Sequence, residues 1–113
     1  MARISTHVLD TSRGKPAQGL PIDLHFGANL VKSAVTNVDG RTDQPLVSDD
    51  RLETGVYELT FHAGDYFRAT GVMLTTPPFL DQVVVRFGVA DPAGNYHVPL
   101  LLSPYGYSTY RGS

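Results

Sequence analysis

Apolar and polar residues alternate along most of this chain, and glycine or proline breaks the alternation at close intervals. A period of two marks strands that bury one face. Residues 3–10 (RISTHVLD) open the series. Leu20–Phe26 sets Ile22, Leu24 and Phe26 against Asp23 and His25, and Leu30–Thr36 returns after a tight turn at Gly27–Asn29. Val56–His62 turns Tyr57, Leu59 and Phe61 inward, and Gln82–Ala90 does the same with Val83, Val85, Phe87 and Val89. Tyr96–Ser113 reads as two further strands joined by a turn at Ser103–Gly106. The links at 10–19, 37–40, 75–79 and 91–94 are turns or loops, and 42–50 holds at most one short strand. Asp65–Thr70, between Gly64 and Gly71, is the one expected helix, too short to stand without packing. The pattern predicts an all-β sandwich of seven or eight strands with one short helix. At 113 residues it forms a single domain over 1–113.

Composition narrows the function. There is no cysteine, so disulfides, thiolate metal sites and thiol nucleophiles are excluded. A formal charge of −2 and the lack of any Lys/Arg cluster argue against nucleic acid. No apolar run approaches a membrane span, and Met1–His7 lacks the apolar centre of a signal peptide, so the expected address is the cytoplasm. No phosphate-cradling glycine loop, serine nucleophile motif or metal signature is present.

The alternation also turns polar groups toward one non-core face. In the first strand Ile4, Thr6 and Val8 make the core face, leaving Ser5, His7 and Leu9 outward. In the strand at Tyr96, the residues Tyr96, Val98 and Leu100 point inward, leaving His97, Pro99 and Leu101 outward. Ser108 and Tyr110 share a face of the last strand. If these strands lie in one sheet, their outward residues form a semi-apolar patch, which reads either as a subunit interface or as a ligand site. Taken alone, His7 is a solvated surface histidine and Arg41 a surface arginine. His25 and His62 have no evident companions, and the run Asp49, Asp50, Glu53 reads as a hydrated loop.

Two segments resemble the transthyretin-like family. One is His7-Val-Leu-Asp10 followed by Gly14, Pro16, Ala17, Leu20 and Ile22; the other is Tyr96-His-Val-Pro99 through Leu102–Ser108. Asp39-Gly40-Arg41 and Gly55-Val-Tyr57 continue the likeness, and Tyr110-Arg-Gly-Ser113 resembles the signature of the 5-hydroxyisourate hydrolase branch. The hormone-carrying branch lacks the two histidines, the arginine and that tetrapeptide. The resemblance implies a two-sheet sandwich that assembles as a homotetramer around a channel lined by the active sites. It implies hydrolysis of the ring amide of 5-hydroxyisourate to 2-oxo-4-hydroxy-4-carboxy-5-ureidoimidazoline in urate degradation, with no cofactor.

On that reading His7, Arg41 and His97 are the catalytic candidates. His7, Arg41, Leu101, Tyr110, Arg111 and Ser113 bind the substrate. A histidine titrates near neutral pH and suits proton transfer to and from water and the leaving nitrogen. A guanidinium suits a developing oxyanion. One imidazole is expected to activate water and the other to steer or donate a proton; the residues lean toward His7 as the base without assigning the pair. Zinc competes poorly, because two histidines leave a third protein ligand to be found. A carrier of a flat ligand and a purely structural sandwich are the rival readings.

Overall fold

The computed structural model describes all residues, Met1–Ser113. Nine strands and one helix follow the chain: β1 (Ala2–Asp10), β2 (Lys15–Pro16), β3 (Pro21–Phe26), β4 (Asn29–Val35), β5 (Val47–Asp49), β6 (Gly55–His62), α1 (Ala63–Ala69), β7 (Gln82–Val89), β8 (Asn95–Ser103) and β9 (Gly106–Thr109). The count exceeds the expected seven or eight by β2, which lies in a segment read as a turn-rich link; β5 is the one short strand allowed within 42–50. Both are antiparallel partners of β1. No helix is long and apolar enough to cross a membrane.

The strands form two sheets. One has the order β2-β1-β8-β9 with β5 also on β1, and the other the order β4-β3-β6-β7. Their inner faces are the apolar positions of the alternation. Ile4, Val8, Ile22, Leu24, Leu59, Phe61 and Leu100 are wholly buried between them. The helix starts two residues earlier than expected and has no side-chain cap on its N-terminus. Tyr66 and Phe67, both buried, hold it to the core.

The pairing that matters for function is β1 with β8, parallel and in continuous register from Arg3↔Asn95 to Asp10↔Leu102. Ser5 lies opposite His97, and His7 opposite Pro99. Because both strands bury their even-numbered residues, their odd-numbered ones share the outer face. At its end β1 is fixed by a buried polar knot. Asp10, fully buried, accepts hydrogen bonds from the Ser12 amide (3.0 Å), the Ser12 hydroxyl, the Arg13 amide (3.3 Å) and the Tyr66 hydroxyl (2.7 Å). Burial, and then the Asp10 carboxyl, push the Tyr66 phenol above its usual range, so it remains a donor.

The knot ties helix to strand across the core, and Tyr66→Phe removes one of its donors. A lost hydrogen bond to a buried carboxyl costs about 2 kcal/mol. The expected result is a lower urea midpoint with an unchanged slope; an unchanged midpoint would show that the bond contributes nothing.

Candidate active site

Four elements build the site, and each positions its side chain for a local reason. β1 and β8 supply His7 and His97 by register. Arg41 arrives on the turn after β4. Gly40 has φ +75° and lies against the Val8 carbonyl and Pro16, where a side chain would meet both. That close approach lets the Val8 amide donate to the Gly40 carbonyl (2.8 Å) and sets Arg41 in a bridge opposite His7. The turn itself is held by the Asn37 side chain, which accepts from the amides of Asp39 and Arg41.

The tail completes the site in a way alternation did not predict. Tyr110 was expected on the last strand beside Ser108, but β9 ends at Thr109, paired with Leu100. The next residue of β8 along that edge is Pro99, which has no amide to extend the ladder. The tail instead satisfies the edge carbonyls of β8 one at a time. The Thr109 hydroxyl donates to Pro99 O (2.7 Å), the Gly112 amide to His97 O (2.8 Å), and the Arg111 guanidinium to Asn95 O (3.2 Å). Arg111 also lies 4.3 Å from the centroid of the Tyr96 ring. Arg111, expected to help orient a substrate ring, thereby also ties the tail to β8. Gly112 packs so closely that a Cβ there would come 2.5 Å from His97 Cδ2.

A cleft of about 320 Å³ opens between these elements. His7, Arg41, His97, Leu101, Tyr110, Arg111 and Ser113 all line it, joined by Leu9, Pro99 and Gly112. The imidazoles are half-buried, while Arg41 and Tyr110 are exposed. His97 Nδ1 is 2.9 Å from Ser5 Oγ, which leaves Nε2 as its free nitrogen. Burial first, then the charges of Arg41 and His7, lower the His97 pKa from its ordinary 6.5. His97 is thus held neutral at neutral pH, with its orientation fixed by a hydroxyl and a glycine. Ser5 was placed on this face but given no role; its position directly opposite His97 needed the strand register.

The other two histidines lie elsewhere. His62 does have a companion: its Nε2 is 2.9 Å from Asp23, which also accepts from Ser33 (2.6 Å). Those hydrogen bonds, Ser33 first, lower the Asp23 pKa. His25 belongs to the same sheet. No cluster of three His, Asp or Glu residues is placed to hold a metal ion.

The model of the HIUase/Transthyretin family matches residues 4–112. The chain belongs to that family. It is 58% identical to "5-hydroxyisourate hydrolase 2" of Rhizobium meliloti (strain 1021), over 98% of this chain and 96% of that protein. The crystal structure titled "(S)-allantoin synthase" superimposes with a TM-score of 0.92 at 44% identity; the match covers 99% of this chain but only 44% of that one. The structure of Klebsiella pneumoniae 5-hydroxyisourate hydrolase gives 0.86 at 33% identity, with both chains covered completely. Membership accounts for the two-sheet sandwich, and the cleft lies where Gly40, Pro99 and Gly112 direct the chain.

Two measurements check this geometry. The His97 ring, followed by NMR, titrates below 6.5, and Arg41→Gln moves its pKa upward without fully restoring it, since burial persists. An unmoved titration would separate Arg41 from His97. Gly112→Ala forces the tail or the ring aside, so the His97 signals shift while the core signals do not.

Proposed function

We propose that this protein hydrolyses the ring amide of 5-hydroxyisourate to 2-oxo-4-hydroxy-4-carboxy-5-ureidoimidazoline, a cytoplasmic step of urate degradation. The observation that carries the reading is the convergence of two imidazoles and the Arg41 guanidinium on one cleft, in a chain whose full-length relative bears that name.

Amide hydrolysis needs three things in one place, and the cleft offers a residue for each. Water adds its oxygen to the ring carbonyl carbon, losing a proton as it does so. His97 takes that proton at Nε2: it is neutral, and Ser5 holds its other nitrogen. This reverses the lean toward His7 that the sequence suggested. Negative charge then gathers on the former carbonyl oxygen, where Arg41 stabilises it. The carbon–nitrogen bond breaks, and His7 supplies a proton to the departing nitrogen. The proton on His97 then returns to His7 through solvent, so that overall water is divided between the new carboxyl group and the released N–H. Leu9, Leu101 and Tyr110 form the wall against which a flat ring lies, and Ser113 closes the end of the cleft. Arg111 acts by holding the tail. The donor set fits a metal poorly, with two imidazoles and no third ligand beside them.

The same face supports assembly as a homotetramer with the clefts turned to a central channel. Tyr110 is 60% exposed, and Leu9 and Leu101 are half-covered, an unusual border for open water.

The test generates hydroxyisourate freshly from urate and follows its ultraviolet decay. The protein should accelerate the decay. His7→Ala and His97→Ala should each slow turnover by about a hundredfold or more while leaving the fold intact. Near-normal turnover in either variant would remove that residue from the mechanism. Deleting Tyr110–Ser113 should abolish hydrolysis; a carrier would keep its ligand and a scaffold would lose only association. Light scattering should give four chains per particle.

A further inference from the structure

A second cleft of about 410 Å³ adjoins the first, sharing Arg41, His97 and Ser113 with it. Apart from Pro45 its lining side chains are polar, and none is Asp or Glu, although the chain as a whole is acidic. Arg3 reaches it from the start of β1, with Ser5 between Arg3 and His7 on the same face. Arg3 and Arg41 therefore border one polar space, and neither holds a carboxylate. Arg13 and Arg51 also hold no carboxylate, but neither borders this cleft. Arg68 pairs with Asp65 and Asp81, Arg86 with Glu58, and Arg111 lies over Tyr96. Two guanidiniums on one concave surface with no Asp or Glu partner repel each other and attract an anion.

The paired strands grade in polarity along this face. The register runs Arg3↔Asn95, Ser5↔His97, His7↔Pro99, Leu9↔Leu101. Each step of two residues advances about 6.7 Å, so the cation lies about 7 Å from the imidazole rung on one side and the leucine pair about 13 Å from it on the other. Along these rungs the face passes from leucine through imidazole to guanidinium. A cyclic amide enters such a site neutral at the bond to be cut and leaves with a new carboxylate there. Separation over one rung is within the screening length of physiological salt.

From this arrangement we propose that Arg3 and Arg41 form an anion subsite beside the catalytic cleft, which takes the carboxylate of a ureido acid, the chemical class of the product. The assignment of the product class rests on the function proposed above. The subsite makes the protein bind the anionic form of a ureido ligand in preference to its neutral counterpart. It draws the new carboxylate away from His97 as the carbon–nitrogen bond opens. Asn95 and Ser5 provide the neutral hydrogen-bonding groups beside it.

Calorimetric titration of the whole protein with ureidoacetate and its neutral amide, ureidoacetamide, tests the subsite without requiring turnover. At low salt the acid should bind about tenfold more tightly than the amide, and added salt should erode the difference. Arg3→Gln should reduce that preference to within about twofold, and Arg3→Lys should restore most of it. Equal binding of the two ligands, no saturable binding of the acid, or a preference that survives in Arg3→Gln would overturn the proposal. Circular dichroism and melting of both variants separate subsite loss from misfolding. Failure of the wild-type protein to hydrolyse hydroxyisourate would instead count against the proposed reaction, leaving the binding result to stand or fall by itself.

Discussion

The parallel ladder between β1 and β8 is the constraint on which the rest depends. It joins the first strand of the chain to one near its end, in unbroken register over eight pairs. Burial of Ile4, Val8, Val98 and Leu100 fixes that register, because a slip of one residue would turn those side chains to water and bring His7 and His97 into the core. The same apolar contacts that stabilise the sandwich thus aim both imidazoles outward. Thr6 reinforces the register from inside, its hydroxyl donating to Val98 O at 2.7 Å. Asp10 and Tyr66 tie the end of β1 to the helix, so the strand carrying His7 is anchored across the core.

The second constraint is the free edge of β8. Pro99 interrupts the ladder on the side where β9 would continue, and an uncovered edge would be left beside the site. The tail covers it by carbonyl-directed hydrogen bonds from Thr109, Arg111 and Gly112. An irregular path suits this work better than a strand. It lets Tyr110 stand at the mouth of the cleft while Gly112 passes close to His97. Arg111 fastens the tail to Tyr96 and Asn95 while lining the cleft.

Much of this was legible in the sequence. Alternation located the long strands within a residue or two and assigned Ser5, His7, His97 and Leu101 to a common outer face. It could not give the parallel direction of β1 and β8, which depends on contacts between residues about ninety positions apart. For the same reason it could not show that Ser5 meets His97 or that His62 meets Asp23. Arg41 lies on a turn, where no periodicity speaks. Its placement depends on Gly40 packing against Val8, a contact visible only in three dimensions. Tyr110 was misplaced because alternation extends a strand until something stops it, and here the stop is Pro99 on the neighbouring strand. Resemblance to the family identified the tetrapeptide without explaining it; the edge of β8 supplies the physical reason for its position.

On the proposed mechanism the two imidazoles serve successive steps of one hydrolysis at one cavity, carried there by the register of a single ladder. A double-variant cycle tests it most directly. Turnover is measured for the protein, for His7→Ala, for His97→Ala and for both changes together. Groups that act as a unit in one site are strongly non-additive. The double variant should therefore be about as slow as the slower single one. Losses that multiply, as for independent sites, would contradict a shared site and with it the mechanism drawn from this fold.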